Sequence, residues 1–178
     1  MAHVFHGDFR QLDGEERRKI LPARLLLKQM KIKEGDTVLD FGAGIGYFSI
    51  PALDSVGDTG TVIAIDLSDR MLEELRRRAG KRTNLMMYHA NDLGTLTADV
   101  ILLITVLHEV EHPQKFLESC FTHLRPGGRI FVIDWQKKET PRGPPVSERI
   151  TKEEVLSMTC HPHREHPIHD YFYFIEFW

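Results

Sequence analysis

The sequence predicts an α/β fold, a mainly parallel sheet with helices on both faces, and three observations predict it. Apolar runs of strand length alternate with segments of helical spacing from Thr37 to Asp134, the pattern of right-handed strand-helix-strand crossovers. Val100-Ile101-Leu102-Leu103-Ile104 is apolar at every position, as expected of a central parallel strand covered on both faces. Val38 to Gly46 runs as an apolar strand into Asp40 and then into a turn with glycine at every second position.

The elements follow in order. Asp13-Gly14-Glu15-Glu16 has capping-box spacing and predicts a helix start, with Pro22 kinking that helix or opening a second one through Leu25, Leu26 and Met30. Strand one spans Thr37 to Phe41, and a helix through Phe48 and Leu53 leads to the Gly57-Asp58-Thr59-Gly60 turn and strand two, Thr61 to Ile65. Ser68 caps a helix carrying Met71, Leu72, Leu75 and Ala79, with Gly80 as its stop. Strand three covers Leu85 to His89. After the apolar fourth strand, Pro113 opens a helix bearing Phe116, Leu117, Cys120 and Leu124, which Pro126-Gly127-Gly128 ends. Arg129 to Asp134 reads as strand five and Pro141 to Pro145 as a loop. Thr151-Lys152-Glu153-Glu154 is a second capping box, and Tyr171 to Trp178 a terminal aromatic strand, with antiparallel edge pairing favoured for the last strands.

At 178 residues the chain suits a single domain, 1–178, in which 1–34 form an N-terminal helical lid or flank and 35–178 the core. With 42% apolar and 28% charged residues and a formal net charge of −3, nothing points to disorder or to a field that gathers nucleic acid. Small-molecule chemistry is the expectation. Cys120 and Cys160 make neither a disulfide framework nor a CxxC metal pattern, which suits a reducing cytoplasm. No secretory signal and no apolar window of membrane-spanning length is present, so a soluble protein without a membrane partner is expected.

In an open parallel sheet, ligands bind outside the carboxyl ends of the strands, where Asp40, Asp66, Asn91, Thr105 and Asp134 fall. Gly42, Gly44 and Gly46 allow positive φ and leave amides open to close approach of a ligand, the helix that follows offers unpaired N–H groups at its start, and Asp66 follows Gly46 by 20 residues, suited to the two hydroxyls of a ribose. Together these describe a nucleoside site.

Three stretches resemble the class I S-adenosylmethionine-dependent methyltransferases. Asp40-Phe41-Gly42-Ala43-Gly44-Ile45-Gly46 is similar to the family's first motif, Val62 to Ser68 to its second strand with the ribose acid, and Leu124-Arg125-Pro126-Gly127-Gly128 to its turn before strand five. Val106-Leu107-His108-Glu109, Ile133-Asp134-Trp135, Glu139-Thr140-Pro141 and Gly143-Pro144-Pro145 resemble a small prokaryotic subgroup related to the ubiquinone and menaquinone C-methyltransferases. The resemblance implies a Rossmann-like, doubly wound sheet of seven strands in the order 3-2-1-4-5-7-6, its last strand antiparallel. It implies S-adenosyl-L-methionine as cofactor, S-adenosyl-L-homocysteine as product and an undefined small-molecule acceptor. Gly42, Ala43, Gly44 and Gly46 are assigned to the methionyl and ribose side, Asp40 to the amino group, Asp66 to the ribose hydroxyls with Leu67 beside it, and Asn91 or Asp92 to the adenine. Where many relatives carry Gly-Asp-Ala after strand three, this chain reads Ala90-Asn91-Asp92, equally readable as a turn-forming Asn-Asp pair, followed by a short segment to Asp99.

On the acceptor side, His108 is the candidate catalytic base, with loop orientation as its other reading. Thr105 and Tyr47 can approach the methionyl group, Tyr47 equally as helix-start packing. Asp134-Trp135 reads as a structural pair or as a pocket wall. The histidine run from His161 to His169 is broken by prolines and lacks a matching Cys or carboxylate set, so no metal site is assigned. Arg76-Arg77-Arg78 reads as a solvated helix face rather than an RNA contact. Arsenite is disfavoured as acceptor because two scattered cysteines cannot cage a soft metalloid. The alternatives are a nicotinamide-dependent oxidoreductase and a non-catalytic S-adenosylmethionine-binding module.

Overall fold

The structure, a computed structural model, describes residues 12–178. The part of the expected N-terminal flank before Leu12 lies outside the described residues. Two short helices, α1 (Glu15–Ile20) and α2 (Ala23–Gln29), lead into β1 (Thr37–Phe41), α3 (Ser49–Val56), β2 (Thr61–Asp66), α4 (Asp69–Ala79), β3 (Leu85–His89) and β4 (Ala98–Ile104). Then come α5 (Pro113–Thr122), β5 (Leu124–Trp135), α6 (Lys152–Ser157), β6 (His163–Glu165) and β7 (Phe172–Phe177). The strands form one sheet in the order β3-β2-β1-β4-β5-β7-β6. β1 to β5 pair parallel, and β7 runs antiparallel to both β5 and β6. The doubly wound, seven-stranded α/β fold implied by the sequence is the one observed.

Alternation along β4 shows why its sequence is apolar throughout. Val100, Leu102 and Ile104 pack on one face with Leu27, Phe48 and Phe131, while Ile101 and Leu103 pack on the other with Leu39, Leu117 and Phe177. Both faces of the central strands are therefore dry, and the open ends carry the polar residues.

Several local expectations hold and others give way to tertiary contacts. Ser68 caps α4 by accepting from Met71 N, and Thr151 and Glu154 form the reciprocal capping box of α6. Asp13, by contrast, caps nothing. Gly14 sits at the N-cap of α1 without a side-chain bond, and the Asp13 carboxylate takes Arg18 at 3.0 Å and also Arg78 of α4. Two guanidinium groups outcompete one helix end for that carboxylate. The Pro-Gly-Gly turn lies within β5 rather than before it. Pairing starts at Leu124 opposite Ala98, breaks register before Val100, and Gly127 takes φ 78° in the irregular stretch. β6 falls inside the histidine run, as three exposed residues at the edge of the sheet between Pro162 and Pro167.

Candidate functional site

Across the carboxyl ends of β1, β2 and β4 lies a cleft of about 510 Å³, within the range of small-molecule sites. Asp40, Gly42, Ala43, Gly44, Asp66, Leu67, Asn91 and Thr105 all line it. Three predicted residues do not. Gly46 faces away, Asp92 turns its Oδ1 onto Gly94 N at 3.0 Å, and His108 is buried beside the cleft.

The three glycines of the turn do different work. All have positive φ, 73°, 53° and 81°. A Cβ on Gly42 would stand 2.4 Å from Val106 Cγ2, and one on Gly46 2.2 Å from Leu75 Cδ1, so these two are glycines because neighbouring side chains occupy the space. A Cβ on Gly44 would meet nothing within 4 Å. Gly44 is thus the position that leaves room for a ligand.

The turn's amides face inward, contrary to the expectation that they stay open. Gly42 N and Ala43 N both donate to Ile65 O, at 2.9 and 3.0 Å, and Gly46 N donates to Ala43 O at 2.9 Å. Gly44 N donates to Asp66 Oδ2 at 2.7 Å, and α3 begins only at Ser49. At Gly42, Ala43 and Gly44 the turn therefore offers a ligand shape and carboxylates rather than N–H groups.

Asp66 receives Gly44 N on Oδ2 and Ser68 N, at 2.9 Å, on Oδ1. A carboxylate has about four acceptor sites, so both oxygens keep capacity for hydroxyl donors. Burial pushes its pKa up, opposed by the Ser68, Gly44 and Leu67 amides. Asp40 lies deeper, at 3% exposure, accepting from Ser49 Oγ at 2.6 Å. Burial, helped by the charge of Asp66 and opposed by Ser49 and Arg17, pushes the Asp40 carboxyl up to about 7. A buried acid poised there gains from a cation beside it.

His108 Nδ1 stands 2.7 Å from Asp134 Oδ1, and the His108 amide donates to Asp134 Oδ2 at 3.3 Å. Because the carboxylate accepts, Nδ1 carries the proton. Burial works against the charged imidazole, but the hydrogen bond and charge of Asp134 prevail and raise its pKa. Asp134 also takes Trp135 N at 2.8 Å. The pair ties the loop after β4 to the end of β5, and it is Glu109 rather than His108 that lines the cleft.

The sequence reading missed Arg17. It stands in a charged run, Glu15 to Lys19, that reads as a solvated helix face. In the structure its guanidinium turns into the cleft over the Tyr47 ring, 4.9 Å from its centre, with a long 3.5 Å contact to Thr105 Oγ1. Its Nε is buried and has no hydrogen-bond partner among the described residues. Tyr47 is both wall and strap, its hydroxyl donating to Leu21 O at 2.8 Å. Also unforeseen is the apolar side of the cleft, where Phe116 of α5 meets Phe41 with ring centres 4.4 Å apart. The histidine run scatters. His161 stacks on Phe121, His166 bonds Glu176 and His169 sits by Tyr171.

A doubly wound sheet with carboxylates at the tips of its first two strands and a glycine turn between them defines a nucleoside-binding α/β protein. The chain belongs to the methyltransferase-domain family, whose model matches residues 39–130, and its fold is that of the class I S-adenosylmethionine-dependent enzymes. It is 31% identical to the ubiquinone/menaquinone biosynthesis C-methyltransferase UbiE of Salmonella arizonae, a match that covers 85% of this chain and 62% of that protein. Among solved structures, a SAM-dependent methyltransferase from Aquifex aeolicus superposes with a TM-score of 0.86 at 27% identity, over 95% of each chain. The DhpI–SAH complex shares the fold, with a TM-score of 0.72 at 17% identity over 94% of this chain and 88% of that one.

The residues present suit an adenosyl amino acid. The open Cβ position of Gly44, two carboxylates placed for an ammonium and a diol, and an unfilled guanidinium donor are its chemical complement.

Proposed function

We propose that this protein is a methyltransferase that takes its methyl group from S-adenosylmethionine and delivers it to a compact organic acceptor. The observation that carries this reading is the pair of cleft carboxylates on either side of the glycine turn, Asp40 buried at the tip of β1 and Asp66 at the tip of β2. Asp66 receives the ribose hydroxyls on its remaining lone pairs, Leu67 packs beside the adenine, and Asn91 meets its amino group. Asp40 takes the ammonium, and Gly44 gives the ligand room against the main chain.

The bound donor would supply a methyl group on a sulfonium, whose departure needs neither metal nor oxidant. The protein's share is to orient and to exclude water, and positioning of this kind contributes about 7–11 kcal/mol to a displacement. His108 serves as a positioning residue in this scheme, because Asp134 holds it and it fixes the loop bearing Glu109. The UbiE likeness supports a quinone-like acceptor methylated on carbon. Among the described residues no helix is long and apolar enough to cross a membrane, and a cytoplasmic setting accords with the cysteine content.

Calorimetry with S-adenosylhomocysteine, followed by incubation with isotope-labelled donor and a metabolite extract, tests the reading. Binding and a labelled small product are expected. No heat at millimolar ligand, or binding of NAD(H) in its place, would overturn it, and binding without any labelled product would leave a cofactor-binding module.

A further inference from the structure

Arg17 has no place in the expectations drawn from the sequence, and its surroundings give it one. Its Nε is a buried donor without a partner among the described residues, and its Nη2 reaches Thr105 Oγ1 only at 3.5 Å. Thr105 itself has φ 53°, a left-handed backbone that a β-branched residue adopts only under constraint. That strain turns the end of β4 at the cleft, where Thr105 meets Arg17. Asp40 lines the same cleft, buried at the tip of β1. The cleft therefore presents both a guanidinium fork and a carboxylate to a ligand, which together are the complement of an amino acid zwitterion.

We propose that Arg17 binds the α-carboxylate of the donor's methionyl end while Asp40 takes its ammonium, so that ligand binding seats α1 over the cleft. The inference rests on the donor proposed above and adds the group that reads its carboxylate. α1 is suited to be seated in this way because none of its residues is fully buried and its apolar hold is slight, Ile20 packing on the core only partly buried. Ion pairs hold its edges, Glu16 to Arg142 of the loop after β5 and, just before it, Asp13 to Arg78 of α4. Exposed pairs of the first kind hold little by themselves. A carboxylate under Arg17 would add a bidentate contact on the inner side of the helix, between the two outer latches.

The test compares three ligands on two proteins by calorimetry: S-adenosylhomocysteine, its decarboxylated analogue, and 5′-methylthioadenosine. The wild type should bind S-adenosylhomocysteine about 10- to 100-fold more tightly than the decarboxylated analogue, the worth of a charge-assisted hydrogen-bonded pair. Arg17→Gln should lose that margin on S-adenosylhomocysteine and keep its affinity for the other two, with Arg17→Lys in between. Hydrogen exchange gives a second readout, with α1 amides slowed in the wild type by S-adenosylhomocysteine and not by the decarboxylated form. A wild type that does not discriminate, or an Arg17→Gln protein that weakens for all three ligands alike or for none, overturns the assignment. Binding of 5′-methylthioadenosine without discrimination overturns Arg17 alone, whereas no binding of any of the three sinks the donor reading as well.

Discussion

Among the described residues, Arg17 and Arg149 both bring a guanidinium out of water, and the regions around them answer it differently. Arg149, 3% exposed, lies under the loop after β5, stacked over Trp135. Its Nε and Nη2 donate to Pro144 O, its Nη1 to Gln136 O and Lys138 O, and its Nη2 also to Thr140 Oγ1 and Arg142 O. Arg17 sits in the cleft with one long contact and an orphaned Nε. A saturated guanidinium builds structure, because every donor already has its acceptor. An unsaturated one, at a cleft, stores a binding site. The same residue type therefore reports fold in one region and ligand in the other.

The sharpest way to break this contrast is to remove each group. Arg149→Met should cost about 3–5 kcal/mol in urea unfolding, since it orphans the carbonyls of residues 136–144. Arg17→Met should move the ligand-free stability by less than about 1 kcal/mol, and equal losses at the two sites would end the distinction.

The glycine turn allows the same comparison on a smaller scale. Gly46→Ala, with φ 81° and Leu75 Cδ1 in the way, should destabilise the fold by about 2–4 kcal/mol in thermal or urea unfolding. Gly44→Ala has only its φ of 53° against it, about 1 kcal/mol, and its larger effect should fall on S-adenosylhomocysteine affinity. Reversal of that order would show that Gly46 is the ligand's neighbour after all.

Asp66→Ala should weaken S-adenosylhomocysteine by about 1–3 kcal/mol in calorimetry, and unchanged affinity would remove the ribose assignment. The mildest effect is on pH. Burial pushes the ligand-free Asp40 carboxyl up to about 7, and an ammonium beside it would lower that value in the complex. Below about pH 7 binding then releases a proton, so affinity should climb between pH 6 and 7 and level off above. The climb should vanish in Asp40→Asn, and a flat wild-type profile would separate Asp40 from the ammonium.

Much of this was legible in the residues. Strong periodicity placed β1 to β5 and β7, and the tips of β1 and β2 marked the cleft, because side-chain pattern and sheet position are both local in sequence. What escaped depends on partners far along the chain. Asp13 looked like a cap until Arg78, 65 residues away, claimed it. β6 is three exposed residues with no apolar face to announce them. Arg17 differs from Arg18 and Lys19 only in which way α1 turns it, and the inward direction of the turn's amides follows from the pairing of β1 with β2, which no spacing of glycines encodes.

That inward direction bears on what the turn can offer a nucleotide. A pyrophosphate is held in a glycine turn by main-chain donors, and here Gly42 and Ala43 have given theirs to Ile65 while Gly44 has given its own to Asp66. A dinucleotide would bring two negative charges to a surface that presents carboxylate oxygens and no vacant donor at those positions. At these three positions the main chain thus has nothing to offer a pyrophosphate, whereas the hydroxyls of a nucleoside still find acceptors on Asp66.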